Sequence, residues 1–265
     1  MLVIPEIAIR GGISTMVPVG DPGTEGSYPD NPVLLARLFR NENARSLHIV
    51  DLDSIQDGKA PNLKQVRAIV DAVEIPIQYQ ARLRTSAEVR MAFDEAGVYR
   101  VVLPASCFQG RPEHLTQVLN EFGPRKIVLS MDVEGGRVVL QTDEASISVP
   151  LITYALEIKR AGVERVLYTS MRYSQSEMVP VEDIVFLAEA TGLSVTIAGC
   201  VQNYSDLSLI QSLQIQNIDS VVLGSPFYSN AFPCQKTWRS IEKQLILENN
   251  LLHPTHGPIS PVKKH

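Results

Sequence analysis

Two stretches decide the fold: AGVYRVVL at residues 96–103 and AGVERVLY at residues 161–168. They are near copies. Each reads as a helix end, a glycine suited to the left-handed position after a helix, then an apolar strand. They begin 65 residues apart. Two units of about 32 residues fit that interval, and eight such units fill roughly 256 residues. The chain has 265.

Working outward, eight short β-rich runs carry the same rhythm: 2–9, 46–52, 75–80, 99–104, 126–133, 165–170, 194–199 and 220–224. Several are apolar almost throughout, as strands covered by helices are. Helical patterns lie between them at 32–39, 63–73, 87–96, 151–161 and 181–190. The fold class this predicts is α/β, a closed (βα)8 TIM barrel forming one domain over residues 1–245. A doubly wound open sheet is the competing layout, but it usually has fewer strands and a glycine-rich first turn. Residues 246–265, with His253, Pro254, His256 and Pro258, are expected to form a poorly packed tail.

Composition narrows the partners. Lys plus Arg is 24 against 29 Asp plus Glu, a net charge of -5, which supplies no basic field for nucleic acid. No apolar run approaches the roughly 20 residues that span a bilayer. The start, MLVIPEIAIRGG, lacks the basic region and cleavage site of a signal peptide. Cys107, Cys200 and Cys234 form neither a disulfide framework nor a zinc pattern. A cytoplasmic protein is expected, a monomer or small homo-oligomer, with no membrane or nucleic-acid partner.

In such a barrel the site forms at the C-terminal strand ends. The first strand delivers Glu6 and Ala8 on one side by its two-residue alternation, and the second Asp51 and Asp53. The third gives Gln80, Arg82 and Arg84, the fourth Ser106, the fifth Asp132, and the sixth Thr169, Ser170 and Arg172. The last two end in Gly199 and Gly224. Acids with arginines and glycines suit a small phosphorylated or otherwise anionic metabolite that undergoes proton transfer.

Asp132 is the best single acid/base candidate and is expected to point into the mouth, with a tight turn at Gly135–Gly136 beside it. Gly199 and Gly224 are expected to cradle phosphate, since glycines after the last two strands often do. Asp51 and Asp53 equally suit a loop or helix-cap network. His48 reads as a hydrogen-bonded core residue. No lysine ends a strand, which disfavours Schiff-base chemistry, and no cluster has metal spacing.

Taken in order, several stretches resemble one family. IPEIAI stands for its IPAIDL, VGD (19–21) for its QGD, DNPVLLARLF for its D-P-V-x-x-A helix, and LHIVDLDSIQDGKAPN (47–62) for its LHVVDLDGA…G…N. SMDVEGGRVV matches its fifth strand, TIAGCV its IASGGV, and VVLGSPFY its VIVGRALY. The chain thereby resembles, from residue 3 to about 240, the histidine-biosynthesis (βα)8 barrels, of the ribulose-phosphate-binding type. It is nearer their ribotide isomerase branch than their imidazole-glycerol-phosphate synthase cyclase branch.

The resemblance implies an Amadori-type aldose-to-ketose rearrangement driven by two aspartates. It also implies a phosphate at each end of the substrate, no cofactor and no metal. Asp132 matches the fifth-strand aspartate and Thr169 an assisting threonine. Gly199, Cys200, Gly224 and Ser225 fall on one phosphate site; Arg82 and Arg84 fall on the other. Arg172 and Asp51 complete the expected binding residues.

The departures are equally specific. Ala8 stands at the first-strand aspartate, and Glu6 is one layer deeper. Gln80-Ala81-Arg82-Leu83-Arg84 replaces GGGIR, Pro104-Ala105-Ser106 replaces G-T-A, Ser225 replaces an arginine, and Met16 replaces another. Three functions are compatible: the family's isomerase with Asp132 as the remaining acid/base and Glu6 or water covering the other step; another enzyme acting on a mono-anionic or mono-phosphorylated molecule; and a non-catalytic binding or regulatory homologue.

Overall fold

The eight apolar runs become eight parallel strands paired in a ring. The computed structural model describes residues 1–15, 30–57, 60–142, 145–171, 178–228 and 232. In chain order the strands are β1 (Leu2–Arg10), β2 (Ile13–Thr15), β3 (Leu47–Asp51), β4 (Ile77–Gln80), β5 (Arg100–Pro104), β6 (Ile127–Glu134), β7 (Arg137–Gln141), β8 (Ser146–Pro150), β9 (Arg165–Ser170), β10 (Ser194–Ala198) and β11 (Ile218–Leu223). The ring runs β1-β3-β4-β5-β6-β9-β10-β11 and returns to β1.

The helices are α1 (Pro32–Asn41), α2 (Leu52–Asp57), α3 (Leu63–Val73), α4 (Ser86–Asp94), α5 (Pro112–Phe122), α6 (Leu151–Arg160), α7 (Val181–Thr191), α8 (Tyr204–Ser212) and α9 (Ser225–Tyr228). Met16, the VGD stretch, Arg172 and the expected tail lie outside the described residues.

Strand register fixes what is level with what. From Met131 the neighbours are Tyr168, Ile197, Val221 and then Val3. On the other half of the ring Ile7, Ile49, Tyr79, Val101 and Ile127 are in register. Val3 precedes Ile7 by four residues and Ile127 precedes Met131 by four, so one circuit shifts the chain by eight. That is the stagger of a (βα)8 barrel. Sharing the shift evenly sets Asp132 level with Ala8, and Ser130 level with Glu6.

Alternation then sorts side chains between two cores. Ile7, Ile49, Tyr79, Val101, Ile127 and Met131 pack outward against the helices. Ile4, Val102, Val128, Leu167, Ala198 and Val222 fill the barrel interior as an apolar plug. Glu6 shares the side of Ile4, and Asp132 that of Val128, so both carboxyl groups stand above the plug and face inward.

Local sequence explains the helix ends. Asn31 accepts the N–H groups of Val33 and Leu34, with Pro32 at the first helical position of α1. Thr85 and Glu88 form a capping box on α4. Gly97 and Gly162, the glycines of the two near-repeats, are left-handed at φ +69° and +102°.

Three strands were not anticipated: β2, β7 and β8. β6 continues past the barrel, turns through Gly135 and Gly136, both at positive φ, and returns as β7. Two successive left-handed residues suit the twist of a hairpin. β8 then pairs with β7 and leads into α6.

Candidate active site at the C-terminal face

Four poles surround the mouth. β1 and β6 are opposite each other in the ring, and so are β4 and β10, with β5 opposite β11. Glu6 and Asp132 are therefore on opposite walls, with Glu6 one layer deeper, while Arg82 and Arg84 after β4 face Gly199 and Gly224 after β10 and β11.

Glu6, Thr169, Gly199, Gly224 and Ser225 line one cavity of about 380 Å³, with Gln202 and Pro226. The Glu6 side chain leans over Gly224: a β-carbon built on that glycine would lie 3.3 Å from Oε1. Its backbone carbonyl accepts the Tyr228 hydroxyl at 2.7 Å, which ties α9 to β1. Burial deep in the barrel pushes the carboxyl up to about 7.

Asp132 pairs in register with Thr169. Its side chain opens onto the mouth and makes no hydrogen bond among the described residues. Surrounding protein still weakens its hydration, and that burial raises its pKa above the ordinary carboxylate value. His48, the β3 neighbour of Glu6, is buried with Nε2 2.9 Å from Gln80 Oε1. Burial holds it down to about 4 against the weaker opposing effect of that bond, so it is neutral at pH 7.

At the opposite pole Arg82 and Arg84 are half-buried. Ser54 Oγ accepts the Arg82 N–H at 3.0 Å, and Glu88 accepts that of Arg84 at 2.7 Å. The arginines reach toward Cys107 in the single 3₁₀ turn after β5 (Ala105–Phe108), and the Arg82 side chain hydrogen-bonds its thiol. Burial nevertheless pushes that thiol up to about 11.

Asp51 and Cys200, also expected as binding residues, stand apart from the cavity as well. Asp51 has the outward parity of Ile49 and is 0% exposed. It accepts from Ser54 N–H (2.9 Å), Asn62 Nδ2 (2.8 Å) and the Tyr79 hydroxyl (2.7 Å). Asn62 also reaches Asp53, which takes the Gly11 N–H at 2.7 Å, so both aspartates fasten loops. Cys200 packs its thiol into the core against the helices, where burial pushes it up to about 12. Gln202 and Pro226 escaped notice in the sequence because nothing in their local pattern marks them. No three His, Cys, Asp or Glu gather as metal ligands would among the described residues.

Inward-facing carboxyl groups on β1 and β6, arginines after β4 and a glycine-lined cup after β10 and β11 meet at the C-terminal mouth of a (βα)8 barrel. The chain belongs to the family described as "Histidine biosynthesis protein", whose profile matches residues 2–233.

Its relatives include the 1-(5-phosphoribosyl)-5-((5-phosphoribosylamino)methylideneamino) imidazole-4-carboxamide isomerase of Chloroherpeton thalassium, 36% identical over 94% of this chain and 95% of the relative. Isomerases of the same name from Chlorobium luteolum and Prosthecochloris aestuarii are each 34% identical over 94% of this chain, covering 97% and 95% of theirs. No described helix is long and apolar enough to cross a membrane.

Proposed function

We propose that the chain is an aldose–ketose isomerase of a phosphoribosyl compound, with Glu6 as the base and Asp132 as its acid partner. The observation that carries this is the pair of inward-facing carboxyl groups on opposite walls, β1 and β6. A general base works best with a pKa near the operating pH, and Glu6 has one.

The chemistry follows from the groups. Asp132 protonates the ribosyl ring oxygen as the C1–O bond breaks. Glu6 removes the proton from C2. The resulting enolamine collapses to the C2 ketone as C1 takes up a proton, so no atom is gained or lost overall. Thr169, beside Asp132, is in position to steady the opened chain. Arg82 and Arg84 hold the phosphate at their pole, in place of the glycine backbone seen in the family motif.

The test is turnover of the relatives' ribotide in deuterium oxide. The reading expects ketose product with deuterium at C1, reduced about 10²–10⁴-fold in Glu6→Gln. Full turnover in that variant would remove Glu6 from the reaction.

A further inference from the structure

We infer that the side-chain amide of Gln80 binds the substrate, donating a hydrogen bond to the oxygen on C2 of the ribosyl unit, the one that becomes the ketone. This rests on the isomerase reading above and adds a residue to its site. The family's GGGIR begins with a glycine where this chain has Gln80, so the amide is an addition of this chain.

Alternation along β4 points Gln80 inward, since Ile77 and Tyr79 pack outward against the helices. Glu6 is in register with His48, and His48 with Gln78. Two strands round the ring from β1, the even stagger raises the level by two residues, which sets Gln80 level with Glu6. Inward side chains of such barrels form layers drawn from alternate strands. Glu6, Gln80 and Ser130 thus share the layer beneath Ala8 and Asp132, a polar floor to the mouth.

His48 sets the direction of the amide. Its ring is 1% exposed, Nε2 lies 2.9 Å from Gln80 Oε1, and Nδ1 is buried with no partner among the described residues. The ring is neutral, so one nitrogen carries the proton. On Nδ1 that proton would make a buried N–H with no acceptor; on Nε2 it is satisfied by Gln80. Nε2 therefore donates, Gln80 Oε1 accepts, and the amide nitrogen of Gln80 is the end turned away from His48. Gln80 is only half-buried, and that nitrogen has no partner among the described residues.

Such a donor has one counterpart in the reaction. Glu6 takes the proton from C2, so a substrate seated for that step has its C2–H toward the β1 wall and its C2 oxygen directed away. Gln80 stands on that level a quarter-turn round the ring, while Ser130, the other polar member, is buried. As the enolamine becomes the ketone, the oxygen changes from a hydroxyl to a pure acceptor. The N–H bond to it then strengthens along the reaction. Arg82 and Arg84 follow in the chain, so one strand end holds both the phosphate and the sugar.

The experiment uses titration calorimetry at pH 8 with two probes. One is the ketose form of the relatives' ribotide; the other is its 2-deoxy counterpart, with CH2 in place of the C2 carbonyl. The wild type is expected to bind the ketose about 10-fold more tightly. Gln80→Met removes the donor at similar length. It should bind the two probes alike and hold the 2-deoxy probe within about 3-fold of the wild type. Gln80→Glu keeps the acceptor for His48 and exchanges the donor for an oxygen, and it too should lose the preference.

A wild type without the preference overturns the inference, as does a preference that survives in either variant. Equal weakening of both probes in Gln80→Met, the mark of a disturbed pocket, overturns it, and so does binding of neither probe by the wild type. Binding is read without turnover. A protein with the Gln80-dependent preference but no deuterium at C1 would lose the isomerase reading alone. One that takes up deuterium with a preference indifferent to Gln80 would lose this inference alone.

Discussion

Glu6 and Gly224 are in contact across the seam where the barrel closes, with Oε1 3.3 Å from the position of a glycine β-carbon. The two residues are 218 apart in the chain and meet because Pro5 pairs with Leu223 in the β1–β11 ladder. Gly224 leaves room for the Glu6 carboxyl group, which a β-carbon there would meet.

Alanine at the two cup glycines should therefore behave differently. Gly224→Ala meets only the mobile end of Glu6, so thermal unfolding should shift by less than about 1 kcal/mol, while activity falls as the carboxyl is displaced. Gly199→Ala meets the Ser170 carbonyl at 2.6 Å from a backbone at φ +82°. It should cost about 2–4 kcal/mol in chemical denaturation.

Glu6 also links stability to pH. The folded protein holds its proton up to about 7, against an ordinary value of 4.5. Stability from the protonated group is full below 4.5 and is lost as pH rises through about 7. Glu6→Gln should therefore stabilise the protein at pH 8 by on the order of 1 kcal/mol or more, and barely at pH 4.5, in urea titrations. A gain on the acid side instead would reverse the assignment.

His48 acts in the opposite sense. Its folded pKa is held down to about 4 from 6.5, so its contribution is full above 6.5 and lost as pH falls toward 4. Between about 4.5 and 6.5 the two residues oppose one another, which flattens the profile. His48→Gln should remove the acid-side loss and make stability fall more steeply as pH rises through this window.

Asp51 is expected to matter for folding alone. Asp51→Ala would leave the buried Tyr79 hydroxyl, an Asn62 N–H and the Ser54 N–H without their acceptor. A loss of about 2–4 kcal/mol is expected. A normal stability with weakened ligand binding would return Asp51 to the site.

The barrel was legible because its evidence is local and repeated: the two AGV segments, the apolar runs and the glycine stops recur at the unit length. Asp132 was legible for the same reason, since the alternation from Val128 through Ser130 sets its direction within one strand. Asp51 was harder, because two possible roles end at the same strand terminus and only the parity with Ile49, plus the partners Asn62 and Tyr79, decides between them. The meeting of Glu6 with Gly224 depends on the register closing the ring, which no local pattern encodes. Pro226 carries no signal until a helix N-terminus is known to stand beside the cavity.

The most direct measurement of the central claim is single-turnover isomerisation of the phosphoribosyl substrate by Asp132→Asn beside the wild type, with binding measured on both. A carboxyl that moves a proton in the reaction predicts a fall of about 10²–10⁴-fold in rate with affinity nearly unchanged. A variant that turns over at the wild-type rate would contradict proton transfer between the β1 and β6 walls.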